Sequence, residues 1–314
     1  MAAGDAARLL ALAALWGASF LFIRVAVLEM PPVGVVEVRL ALGALAIAVY
    51  ALVVGQGQAL AGLRRPSAAL VGLVSAALPY LCFAWGETRV ASGIAAICNA
   101  AAPLFSALLA LCLPRRHRSE TERLTPVRVA GLAVGLGGVV SLVLIEGLGG
   151  HVDLLGLTVL LSAPVLYAIG AFLARRVFAG ESALVPAISA NGLAALIVLP
   201  FALVAGRPEH SVSTHAVLSL IALGVGGTGI AYVLYYRLLA SLGATGALTV
   251  TYLLPGFALV YGRAFLGEPV RPAALLALVL ILAGTALTNR GGAGRRPPLV
   301  VPSQAESAIC DQRS

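Results

Sequence analysis

The sequence predicts an all-α polytopic membrane protein, with ten transmembrane helices arranged as two inverted five-helix repeats. Three observations predict it. The chain has 314 residues, of which 60% are hydrophobic and 11% charged, against roughly 25% charged in a soluble domain. Apolar runs of about twenty residues, the length that crosses a bilayer core, recur ten times with short connections. The second half of the chain echoes the first at a nearly constant offset.

The ten spans fall near 8–27, 34–54, 67–87, 92–113, 126–145, 154–174, 184–205, 215–238, 244–264 and 272–289. Helices and closed barrels are the structures that satisfy their own backbone in lipid. Continuous apolar runs without ten-residue alternation select helices. The first span carries on through Trp16, Gly17 and Phe20 without a small-x-small cleavage site, so it reads as a membrane helix rather than a cleaved signal. No loop is long enough to hold a soluble domain. The last two dozen residues, including "RRPPLVVPSQAES", are polar and rich in proline, and read as a disordered tail over 291–314.

All 21 basic residues are arginine, and the formal net charge is +8. Their placement between apolar runs follows the topology rule for cytoplasmic loops and argues against nucleic acid as a partner. With the N-terminus inside, fifteen arginines lie on the inner segments and six on the outer ends. Both termini are therefore expected in the cytoplasm and the chain in the inner (plasma) membrane. Cys82, Cys98 and Cys112 lie within spans and Cys310 in the tail, so no extracellular disulfide pair is offered. His117, His151, His210 and His215 lack metal-ligand spacing, and no metal or cofactor is expected.

The repeat is read by placing Pro103 over Pro255. At that offset of 152, "PYLCFAWGETRVASG" lies over "AYVLYYRLLASLGAT", Tyr80 over Tyr232 and Asn99 over Thr251. At 151, Trp16 and Arg24 fall over Tyr167 and Arg175. The first copy covers 1–146 and the second 152–290. Five spans per copy is an odd number, so the second copy enters the membrane in the opposite sense. Inverted repeats of this kind mark secondary transporters, with the substrate site near the midplane where the copies meet.

Several motifs resemble the drug/metabolite transporter superfamily, in its ten-helix EamA-like branch. They are "LWGASFLFIR" (15–24), "EVRLALGAL" (37–45), "RVASGIAAICNAAAPLFSALLAL" (89–111), "YYRLLASLGATGALTVTYLLPGFALVYGRAFLGEPV" (235–270) and "GTALTN" (284–289). The resemblance covers roughly residues 8 to 290. It implies proton- or gradient-coupled export of small metabolites or drugs through a cavity between the repeats. One departure is visible: "LPRRHRSETERLT" stands where the family turns tightly around a glutamate, which leaves Glu122 without a carried role.

Intramembrane polar groups are costly and commonly face a cavity or a partner helix. Asn99 and Thr251, with the helix breakers Pro103 and Pro255, are the first candidates; packing against neighbouring helices is the alternative for each. The deep aromatics Trp16, Tyr80, Tyr167, Tyr232 and Tyr252 are the second set, suited to lining an organic pocket or to plain helix packing. Trp85, Tyr235 and Tyr236 read as interfacial belt residues. Arg39, in the first turns of the second span, is placed at a cavity mouth, facing Glu37 or a substrate carboxylate, or else snorkelling to the interface. No acid lies at mid-span, so no proton-coupling carboxylate is named. "GVGGTG" (224–229) lies inside an apolar run with no acid near 249, so it reads as small-residue packing and not as a dinucleotide fingerprint. Serines lack a histidine at membrane depth, and no enzyme is read.

The expected function is a secondary transporter that exports a small organic molecule by alternating access. The alternative is a non-transporting or lipid-handling membrane protein. The expected partners are a small-molecule substrate and membrane lipid, with a homodimer open as an assembly.

Overall fold

The structure is a computed structural model and describes residues 3–112, 125–205, 211–247 and 249–290. Glu122 and the tail 291–314 lie outside the described residues. Among them, ten apolar helices are found: α1 (Gly4–Val27), α2 (Pro32–Val53), α3 (Pro66–Gly86), α4 (Ser92–Leu111), α5 (Pro126–Leu148), α6 (Leu154–Val177), α7 (Leu184–Val204), α8 (Thr214–Gly243), α9 (Val250–Leu266) and α10 (Pro272–Asn289). All but α9 are long and apolar enough to cross a membrane.

Local chemistry sets the ends. Proline stands at the start of α2, α3 and α5, where its missing N–H costs nothing. Asp153 and Ser213 cap α6 and α8 by accepting from Gly156 N (2.9 Å) and Ala216 N (3.2 Å). Gly267, at φ 66°, closes α9 in the left-handed conformation that glycine adopts without strain. Large apolar side chains such as Leu45, Leu70, Leu196, Leu203, Val260 and Val279 stay exposed on the outside of the bundle, as lipid contact requires.

Contacts across helix ends establish two faces. Asp5 meets Ser241, and Tyr252 meets Asn289, at the face where α1 begins; this is the proximal face. Glu29 meets Ser213, Ser92 meets Glu268, and Arg89 pairs with Asp153 at the opposite, distal face. Helix α1 therefore starts proximally and α6 distally, which makes the five-helix copies inverted. The packing has the same symmetry. Helix α1 lies on α8 and α9, while α6 lies on α3 and α4; α2 packs on α8, and α7 on α3; α2 pairs with α7, α4 with α9 and α5 with α10. Exchanging each helix with the one five places along leaves these pairings unchanged.

Small residues make the approach close enough. A Cβ on Gly72 of α3 would sit 2.4 Å from the Ala190 carbonyl of α7, and one on its mate Gly224 of α8 would sit 2.6 Å from Leu42 Cβ of α2. The run "GVGGTG" thus seats α8 against α1 and α2, through Gly227 on Ser19 and Gly229 on Ala46. Helices α3 and α8 also widen into π-helical turns over Leu73–Ala77 and Ala222–Ile230. These stretches are repeat mates, and π turns commonly mark working positions in helices.

The loops carry a matching pair of ties. Glu29, after α1, accepts from Ser213 N and Ser213 Oγ at 2.6 Å each. Its mate at offset 152, Glu181 after α6, pairs with Arg65 before α3. One tie closes each face. The bonds from Ser213, hydroxyl first and amide second, hold the Glu29 carboxyl below its usual range, and His215 adds to this. A depressed folded pKa means that the tie is present above the ordinary carboxylate value and is lost as pH falls through the lowered one. Glu29→Gln at neutral pH is expected to speed amide hydrogen exchange over Ser213–Ala216 severalfold, and acidification to do the same to the wild type. Unchanged exchange in the variant would show that the tie holds nothing.

Candidate functional site

Five helices from both copies bring a cationic and aromatic cluster together in the bundle. Arg39 is 7% exposed and lies on the eighth residue of α2, deeper than the mouth expected from the sequence. Its guanidinium carbon sits 3.8 Å from the centroid of the Tyr80 ring of α3, a cation–π contact. Its Nε donates to Thr228 Oγ1 of α8 at 3.2 Å. Among the described residues no carboxylate lies within ion-pairing distance of Arg39, and its Nη groups have no protein acceptor. Those Nη atoms reach accessible space, whereas Glu37 Oε2 is sealed and unpartnered. The Arg39–Glu37 pairing is therefore absent.

Around this cation the aromatics are continuous. Tyr232 of α8 faces Tyr80, and Tyr167 of α6 lies close enough to feel both Tyr80 and Arg39. Tyr232 contacts Tyr236 (centroids 5.9 Å), Tyr236 contacts Tyr235 (5.7 Å), and Tyr235 contacts Trp16 of α1 (5.6 Å). Tyr235 and Tyr236 are thus part of the cluster and not of a belt. Helix α8 runs to Gly243, where φ turns to 70°, five residues beyond the end expected at 238, so these rings lie deeper than the sequence suggested. Trp85 does sit at a helix end, with Arg89 over its ring at 4.5 Å.

The polar and proline candidates behave differently. Helix α4 breaks at Ala100 and Ala101, where the chain tightens: Ala101 N donates to Cys98 O, three residues back, at 3.1 Å. Pro103 has no N–H to offer the Asn99 carbonyl one turn back, and the half-buried Asn99 amide makes no hydrogen bond among the described residues. Helix α9, by contrast, runs unbroken through the buried Pro255. It starts at Val250, so Thr251 and Tyr252 lie at its proximal end, where Asn289 Nδ2 donates to Tyr252 Oη at 2.9 Å. At 1.5 Å per residue, Asn99 lies about 10 Å along α4 from its start, and Thr251 about 2 Å along α9 from its start. The two match in sequence but do not hold equivalent places in the inverted copies.

The structure adds a residue that the sequence did not single out. Glu87, directly after α3, is 0% exposed, and both carboxylate oxygens are sealed without a hydrogen-bond partner. Burial pushes its carboxyl well above the usual carboxylate range; nearby Glu268 pushes the same way, and Arg24 and Arg39 oppose. Arg24 of α1 donates to the Glu87 main-chain carbonyl. Glu268 itself is fully occupied at the start of α4, accepting from Ser92 N (2.8 Å), Ser92 Oγ (2.9 Å) and Gly93 N (3.1 Å). In sequence Glu87 looks like a solvated loop acid; only the packing of helix ends reveals its burial.

Two apolar grooves open sideways from the bundle, one lined by Phe22, His215 and Phe265 and one by Leu42, Tyr50 and Val233. Neither contains a residue of the cluster.

An inverted ten-helix bundle with polar and aromatic groups gathered between its copies has the architecture of a membrane transporter. The chain belongs to the EamA-like transporter family, whose model matches it twice, over residues 6–144 and 154–290. It is 31% identical over 274 residues to a protein of Streptantibioticus cattleyicolor named a probable terminal-alkyne amino-acid exporter, covering 84% of this chain and 88% of that one. It is also 31% identical to the uncharacterised inner membrane transporter YedA of Escherichia coli K12, over 90% of each chain. One crystal structure shares the fold at a TM-score of 0.59 and 20% identity, covering 92% of this chain and 98% of that one.

Proposed function

We propose that this chain exports small carboxylate-bearing organic molecules with an apolar or aromatic body, by alternating access, with both termini in the cytoplasm. The observation that carries the reading is Arg39: a buried guanidinium, stacked on Tyr80, with free Nη donors and no acidic partner among the described residues. A buried cation is costly unless it is paired, and a planar fork is suited to a carboxylate. The tyrosines and Trp16 supply the flat apolar walls that hold an organic body. The relative named as an amino-acid exporter fits a substrate with this headgroup. The arginine bias toward the proximal side supports the orientation. The inverted copies are tied at each face by one acidic residue, Glu29 distally and Glu181 proximally; both ties are formed in this structure, and alternating access requires that they be released one at a time.

The test is flux in liposomes holding the purified protein, with amino acids (terminal-alkyne amino acids included) and their decarboxylated amines as the panel. Saturable flux of the acids and at least tenfold less of the amines is expected. Equal flux of acids and amines overturns the carboxylate assignment; no flux for any member overturns the reading as a whole.

A further inference from the structure

We propose that Glu87 is a proton-binding site, and that the distal face closes only around its protonated form. The inference rests on the reading that this face opens and closes during transport.

The geometry sets the requirement. Glu87 lies where the end of α3 meets the end of α1 and the α9–α10 connection, and no part of it is exposed. Neither carboxylate oxygen has a donor. An ionised carboxylate sealed without donors is among the most costly arrangements in a protein, and such a group takes a proton instead. The charged groups that face it are Arg24 from α1, Arg39 from α2 and Glu268 from the α9–α10 connection. Neither arginine makes an ion pair with it, and Glu268 repels a second negative charge. The structure therefore shows a closed distal face compatible with the neutral acid. When these ends part, water reaches Glu87, its pKa falls toward the ordinary value, and the proton leaves to the distal side. One proton binds on closure and one is released on opening. Acid on the distal side then favours return to the closed state.

Spin labels at Leu155, at the distal start of α6, and at Val270, between α9 and α10, report the distal opening by pulsed electron resonance without any substrate; both positions are exposed. In the wild type the short-distance population is expected to rise as pH falls toward the ordinary carboxylate value, above the range in which the Glu29 tie is lost, with its midpoint above that ordinary value. Glu87→Gln, a permanent mimic of the neutral acid, should be closed across that range. Glu268→Gln removes the like charge, so its midpoint should move to lower pH; this variant keeps the test decisive where Glu87→Gln fails to fold. A pH-independent distance in the wild type, the wild-type response retained in Glu87→Gln, or an unmoved midpoint in Glu268→Gln each overturns the proposal. Because no transported molecule is needed, failure here is separate from failure of the flux assay.

Discussion

Replacing Arg39 with alanine is expected to lower the apparent affinity for a carboxylate substrate by about 10- to 150-fold, because hydrogen bonds to charged groups are worth about 1.5–3 kcal/mol. The protein should still insert and fold. This pairing of outcomes separates a binding arginine from a structural one. A structural arginine in lipid is tied to an acid, and removing it leaves a buried charge unpaired. Among the described residues Arg39 has no such tie and one hydrogen bond, to Thr228, whose hydroxyl also donates to Leu223 O at 3.3 Å and so keeps a partner in the variant. Thermal unfolding in detergent should therefore move little while transport collapses. Arg39→Lys should fall between the two, since it keeps the charge but loses the planar fork and the stacking on Tyr80. A variant that loses stability and transport together, or that transports like the wild type, would remove Arg39 from the substrate site.

What the sequence could show follows from which forces act along the chain and which act between helices. Span length and arginine placement are set by the bilayer, segment by segment, so they survive in the bare sequence. The repeat survives as well, because Gly72 and Gly224 must stay small for the same approach in each copy. Depth across a helix end is harder. Tyr235 and Tyr236 looked interfacial because apolar residues thin out after Leu239, yet α8 continues to Gly243 and carries both rings inward. The paired prolines misled for a related reason. In α4, Pro103 falls in mid-helix and the regular ladder breaks into tighter turns beside it; in α9, Pro255 falls close to the helix start, where little of the hydrogen-bond ladder precedes it. Glu87 was illegible because the charged groups that surround it, Arg24, Arg39 and Glu268, are 63, 48 and 181 residues away in sequence.

Gly284→Leu is expected to prevent stable folding. Helix α10 crosses α5 so closely that a Cβ on Gly284 would lie 2.3 Å from the Gly135 nitrogen, 2.4 Å from its Cα and 2.6 Å from the Gly131 carbonyl. These are backbone atoms, which cannot rotate away as a side-chain tip does. The same crossing is lined by Gly131 against Thr288 and Gly138 against Leu280, so no neighbouring turn has slack to absorb a shift. In lipid there is no hydrophobic drive to hold separated helices together; close van der Waals contact is the main attraction, and small residues are what permit it. Overpacking a soluble core with extra methylenes already costs about 1–3 kcal/mol, and here the helix pair must part along its length. Gly137→Leu is the matched control: it lies on the same α5 helix, and a Cβ there meets nothing within 4 Å. Gly137→Leu should leave thermal unfolding and the monodisperse fraction in detergent close to wild type, while Gly284→Leu should lose most of that fraction. Equal behaviour of the two would mean that α5 and α10 are not held by this contact.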